Sequence, residues 1–230
     1  MKTLSEYNLE KYASLQTDLR ESRLKKVARL IVEENPGSIL DIGCGNGGFS
    51  SRFIALGFTV HGVDLTDNQI AAARANGLLA KQHDIASSRL PYESETFDIV
   101  FAGEVIEHLV DTTSFLKDVH RILKPGGCVI LTTPNLASFE NRVRILFGVY
   151  PIWVEYKLED GQGHVRAYTP RTLKLHLKNN GFGVETHLGN WVPFIPQRFT
   201  DDVRLPFIAK TGDWLPNLSM DIIVKARKQW

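Results

Sequence analysis

A chain of 230 residues and 25.9 kDa, 43% hydrophobic and 23% charged, has an ordinary globular composition and the length for one large domain. Its formal net charge of +1 gives no electrostatic footprint for nucleic acid or an anionic membrane. The two cysteines, Cys44 and Cys128, fit neither a zinc spacing nor a disulfide framework. No apolar run approaches the roughly 20 residues of a membrane span, and the opening MKTLSEYNLEKYASLQ lacks an apolar signal core, so a soluble cytoplasmic protein is expected.

In chain order, residues 18–34 place Leu19, Leu24, Val27, Leu30 and Ile31 at helical spacing, and Asn35-Pro36-Gly37 stops that helix. SILDIG is a short apolar strand running into glycines. SSRFIAL reads as a helix ended by Gly57, and FTVHGVDL as a strand. NQIAAARAN reads as a helix capped by Asp67 and closed by Gly77. LLAKQHDI is a weaker strand and FDIVFA a buried one. A helical pattern around 104–110 and then SFLKDVHRIL follow, and Lys124-Pro125-Gly126-Gly127 turns into the strand CVILTT. Residues 138–168 break the rhythm with Phe147, Tyr150, Trp153 and Tyr156, as an insertion over the sheet edge would. TPRTLKLHLKNNGF is a helix with Thr169 as cap, Pro170 in its first turn and Gly181 at its end. An apolar, proline-containing loop precedes a last strand, SMDIIVKARK. Strands alternating with helices call for a doubly wound α/β sheet. We take residues 1–230 as a single domain, with 1–35 as an N-terminal helical cap and 138–168 as a substrate-side insertion.

The loop ILDIGCGNGGF follows a strand and opens a helix, and glycines 43, 45 and 48 satisfy G-x-G-x-x-G. With Asp64 about 20 residues on, this alone fits an NAD-dependent oxidoreductase. Three details favour another ligand. Asp41, two residues before the first glycine, suits an ammonium or sulfonium better than a pyrophosphate. His83-Asp84-Ile85 puts an acid where it could accept from an exocyclic amine such as that of adenine. The chain also ends in a helix, strand, irregular loop and strand, which suits a hairpin-like sheet edge.

Here the sequence resembles the class I S-adenosylmethionine-dependent methyltransferases over roughly residues 38–135. ILDIGCGNGG, VHGVDL, HDI, FDIVFAGEVIEHL and RILKPGGCVILTTPN look like five of their motifs in order. The resemblance implies a Rossmann-like, mostly parallel seven-stranded sheet with an antiparallel last strand and helices on both faces. It implies that Gly43 and Gly45 approach the methionine part of the cofactor, with Asp41 nearby. Asp64 would take the ribose hydroxyls, Leu65 would pack on the adenine, Asp84 and Ile85 would bound it, and Gly103 would pass close to the cofactor. Gly47 and Gly48 read as helix-packing positions and Cys44 as a filler of the turn. Arg23 stands where some relatives reach back to the cofactor carboxylate.

Methyl transfer from a sulfonium needs alignment and a nucleophilic acceptor; a hydroxyl acceptor also needs a base or a metal. GEVIEHLVD, residues 103–111, bears on that need. If a helix starts near Glu104, then Glu104, Glu107 and His108 share one face beyond the carboxyl end of a strand. Three readings stay open: a polar helix start favoured by the dipole, His108 as general base oriented by a glutamate, or a magnesium or manganese site. The metal reading rests on resemblance to the E-x-x-E-H of small-RNA 2′-O-methyltransferases and quinone-precursor O-methyltransferases, with His164 as a further ligand beside Glu104, Glu107 and His108. The absence of a basic cluster argues against the RNA version.

TTPNLASFENRVRILFG resembles a pattern of bacterial methyltransferases acting on small molecules, lipid precursors or saccharides. Asn135 reads as a cap of the following helix or a group polarising the acceptor, and Arg142 and Arg144 as surface residues or anion binders. Tyr150, Trp153, Tyr156, Trp191 and Phe194 could line an apolar pocket or form a satellite core. The expected function is therefore methyl transfer to an O or N acceptor of a small molecule or a lipid or saccharide precursor. A non-catalytic cofactor-binding domain and aminopropyl transfer, for which no extra acid set is present, are alternatives.

Overall fold

The computed structural model of the chain describes residues 22–155, 163–193 and 206–229. The expected helix start at 18–21, Tyr156 and Phe194 lie outside them. Helix α1 (Ser22–Val32) precedes β1 (Ser38–Ile42), a 3-10 helix (Ser50–Leu56), β2 (Thr59–Asp64), α2 (Asp67–Ala75) and β3 (Leu79–Gln82). Then come β4 (Phe97–Gly103), a 3-10 turn (Ile106–His108), α3 (Thr112–Ile122), β5 (Leu123–Pro134) and α4 (Phe139–Leu146). The C-terminal part holds α5 (Pro170–Asn179), β6 (Phe182–Gly189), α6 (Pro206–Trp214), a 3-10 turn (Pro216–Leu218) and β7 (Asp221–Lys228).

The seven strands order as β3-β2-β1-β4-β5-β7-β6. β1 to β5 pair in parallel, and β7 runs antiparallel to both β5 and β6. The sheet thus has the expected parallel body and antiparallel last strand. Alternation along each strand supplies the core on both faces. Ile39, Ile99 and Ile130 pack with Val27, Ile31, Phe53 and Ile70 on one side. Leu40, Val100 and Val129 pack with Leu116, Val119, Leu173 and Leu177 on the other.

Local chemistry ends the elements where expected at several points. Gly57, Gly77 and Gly181 take φ values of 91°, 91° and 84°, which glycine adopts without a Cβ clash. Thr169 caps α5 in a reciprocal box with Thr172. Elsewhere the structure differs. Asp67 lies inside the first turn of α2, and Thr66 holds the cap position without a side-chain bond. SSRFIAL winds as a 3-10 helix. The 104–110 stretch is one 3-10 turn, because Glu104 turns out of β4 at φ 55° and breaks helical continuity. Ser138, not Asn135, caps α4, while Asn135 is buried with its amide on the carbonyls of Asn217 and Ser219. The loop expected after β6 contains α6.

Candidate active site

The strand order reverses between β1 and β4, and their carboxyl ends open a crevice there. Gly43 (φ 72°) turns the chain out of β1, its amide donating to the Val63 carbonyl at 2.9 Å. A Cβ at Gly43 would lie 2.9 Å from Cγ2 of Val105, so only glycine lets the loop settle on that side chain. The Gly45 amide donates to Oδ2 of Asp64 at 2.9 Å, aiming that carboxylate from the end of β2.

A cavity of about 280 Å³ lies against this loop. Gly43, Asp64, Leu65, Asp84 and Ile85 line it, together with Val105 and Leu109. The other three residues expected at the cofactor stand back from it. Gly45 orients Asp64. Asp41 is buried beneath the loop and accepts a bond from Ser50. A Cβ on Gly103 would meet the Phe101 ring at 2.6 Å, so its glycine has a packing reason. Burial raises Asp41 to about 7, with the Asp64 charge adding and the Ser50 bond opposing. The Asp84 carboxylate accepts from the Ala86 amide at 2.9 Å and shapes the loop after β3.

A second cavity, of about 870 Å³, opens beside the first. Arg23, Tyr150, Trp153, His164 and Trp191 help line it, and Glu104 lines both cavities. Arg23 donates from Nη1 to Glu104 Oε1 and to Thr132 Oγ1, each at 2.9 Å; Thr132 also donates to Glu104 at 2.8 Å. Arg23 therefore binds Glu104. Arg144 also lines the large cavity and pairs with Glu140 at 3.0 Å, whereas Arg142 donates to the Ala137 carbonyl.

The GEVIEHLVD residues point in different directions. Glu104 faces Arg23. Glu107 is buried, with Oε2 accepting from Thr133 at 3.0 Å and Oε1 without a hydrogen-bond partner among the described residues. Burial raises Glu107 to about 7, and the Glu104 charge adds to the rise. His108 lines the small cavity and His164 the large one, and their rings meet edge to face at 4.8 Å between centroids. His108 Nδ1–H donates to the Gly163 carbonyl and His164 Nδ1–H to that of Trp153, both at 3.1 Å. A carbonyl only accepts, so each neutral ring keeps a lone pair on Nε2. Glu107, His108 and His164 each bring a ligand atom within 4.8 Å of the others. Of the four residues expected at a metal, the structure groups these three and leaves Glu104 in its ion pair.

Val105 and Leu109 belong to the buried core and also line the small cavity. Ser50, Thr132 and Thr133 carry no motif of their own in the sequence; the two hydroxyls closing the apolar run CVILTT are the available signal. Among the described residues no helix is long and apolar enough to cross a membrane.

A methyltransferase-domain family model matches residues 15–187. The human mitochondrial ubiquinone biosynthesis O-methyltransferase is 31% identical over 199 residues, 77% of this chain and 52% of that protein. The ubiquinone biosynthesis O-methyltransferase of Bartonella tribocorum is 32% identical over 159 residues, 66% of this chain and 62% of that one. The chain thus spans about half the length of the human relative. An S-adenosylmethionine-dependent methyltransferase from Mesorhizobium loti shares the fold at a TM-score of 0.62 and 21% identity, covering 90% of this chain and 98% of that one.

Proposed function

The chain belongs to the methyltransferase domain family, and we propose that it moves a methyl group from S-adenosylmethionine to a hydroxyl of a small molecule. The observation that carries this reading is that Glu104 lines both cavities. The smaller one adjoins the glycine loop and Asp64, and the larger one holds the aromatic residues. The match to two relatives named O-methyltransferases favours oxygen over nitrogen as the acceptor atom.

The residues around the small cavity fit the cofactor. Asp64, oriented by the Gly45 amide, offers carboxylate oxygens to a ribose diol. Leu65, Ile85 and Leu109 supply apolar contact for a planar base. Gly43 keeps the loop free of a side chain on the Val105 side. When bound, S-adenosylmethionine supplies an electrophilic methyl group on a sulfonium whose leaving group departs neutral. The protein's work is then to align the acceptor and remove its proton.

Proton removal falls to the cluster beside Glu104. In one form Nε2 of His108 takes the proton, its ring held by the Gly163 carbonyl. In the other, Glu107, His108 and His164 would hold magnesium or manganese, which would lower the pKa of a coordinated hydroxyl. The second form is supported by the partnerless Oε1 of buried Glu107 and by two Nε2 lone pairs whose Nδ1–H bonds act as outer-shell anchors. The two buried free cysteines suit a reducing compartment such as the cytoplasm.

The test is methyl transfer from tritiated S-adenosylmethionine into a panel of small hydroxylated aromatic and lipidic compounds. Glu104→Gln should cut turnover at least about tenfold and weaken S-adenosylhomocysteine binding by much less. Tight cofactor binding with no transfer to any acceptor would instead favour a non-catalytic cofactor-binding domain.

A further inference from the structure

Three non-glycine residues among those described hold positive φ: Glu95 at 57°, Glu104 at 55° and Trp153 at 63°. Two of the three, Glu104 and Trp153, line the same 870 Å³ cavity. A left-handed backbone is unfavourable for a bulky residue, and a tryptophan has no short polar side chain to compensate locally. Such a conformation persists where neighbours over-determine it, and these positions cluster at functional sites.

The neighbours here are specific. The buried Asn141 grips the preceding residue from both sides, accepting from the Ile152 amide at 2.8 Å and donating to its carbonyl at 3.3 Å. The buried His164 donates Nδ1–H to the Trp153 carbonyl at 3.1 Å, and its ring lies 6.5 Å from the indole. All this holds a side chain that remains 42% exposed. An indole serving the core would be covered, so the strain sustains a surface of the cavity.

We propose that Trp153 is a specificity-determining residue for the acceptor, its indole the platform on which a planar ring lies while the acceptor hydroxyl points toward Glu104 and the histidine pair. This assignment rests on the reading of the large cavity as the acceptor site. His164 serves twice in it, positioning Trp153 through its Nδ1–H and facing His108 with its ring.

The experiment compares Trp153→Phe, Trp153→Ala and Trp153→Gly with the wild type, all loaded with S-adenosylhomocysteine. The probes are 2-naphthol and its saturated counterpart decahydro-2-naphthol, followed by ligand-observed NMR. Wild type and Trp153→Phe should favour the planar probe by about 3- to 10-fold, as ring stacking allows. The alanine and glycine variants should lose that preference. Both lack the indole, and relief of the left-handed backbone should outweigh the larger unfolded-state entropy of glycine, so glycine should melt about 2–4 °C above alanine. A planar preference that survives in Trp153→Ala, or is absent from the wild type, overturns the assignment; so does a glycine variant no more stable than alanine. Failure of the wild type to bind S-adenosylhomocysteine at the loading step would count against the methyltransferase reading instead.

Discussion

The Gly45 amide donates to the Asp64 carboxylate at 2.9 Å, joining the glycine loop after β1 to the end of β2. The bond holds the Asp64 carboxylate, proposed above to take the ribose diol, at the rim of the small cavity. Such charge-assisted bonds contribute about 1.5–3 kcal/mol each. Asp64→Ala should therefore weaken S-adenosylhomocysteine binding by about 10- to 100-fold by calorimetry. An unchanged affinity would place the cofactor elsewhere.

Arg23 makes a corresponding link at the large cavity, binding Glu104 and Thr132 at 2.9 Å. Arg23→Met should lower methyl transfer about tenfold or more, with cofactor affinity changing less than about threefold. Arg23→Lys keeps the charge but loses the planar fork, and should fall between the two. Equal loss of cofactor affinity and turnover in Arg23→Met would show that Arg23 serves the cofactor instead.

Metal dependence can be read without turnover. If Glu107, His108 and His164 hold a divalent cation, Mn²⁺ added to the protein should lose its free-ion electron paramagnetic resonance signal. Glu107→Gln and His164→Ala should restore that signal, and a chelator should abolish activity in the wild type. Full activity in the chelator, with no Mn²⁺ retained, would leave His108 as the base.

Asp41 gives stability a pH dependence of definite sign. Burial raises its folded pKa from the ordinary 3.8 to about 7, so between those values the folded state holds a proton that the unfolded chain has released. Its contribution is thus most favourable below pH 3.8, declines as the pH rises toward about 7, and is constant above. Asp41→Asn mimics the protonated form and keeps an acceptor for Ser50. The variant's melting temperature relative to the wild type should rise from pH 5 to pH 8. A difference independent of pH would mean that Asp41 is ionised throughout.

Much of the scaffold was legible because it rests on local signals. Apolar runs of strand length, glycines 57, 77 and 181, and the Thr169 cap all act within a few residues. The glycine loop and Asp64 were legible for the same reason. The cluster after β4 was not, since Val105, Ile106 and Leu109 imitate a helical stripe while Glu104 turns left-handed toward an arginine on α1. Three of the four expected metal residues meet only because segment 163–166 lies against the 3-10 turn, with Val165 and Arg166 amides donating to the Glu107 carbonyl. That pairing is tertiary, and no periodicity encodes it. Helix α6 has no clear sequence signal, because its apolar, proline-flanked stretch has the composition of a loop.

The adenosyl cofactor is proposed to occupy the cavity at the carboxyl ends of β1 and β4. The most direct measurement is a calorimetric titration of the wild type and Asp64→Ala with S-adenosylhomocysteine and, separately, with NAD. We expect micromolar S-adenosylhomocysteine binding by the wild type, its weakening in the variant, and no heat from NAD. Binding of NAD without S-adenosylhomocysteine would contradict the account and return the glycine loop to a dinucleotide role.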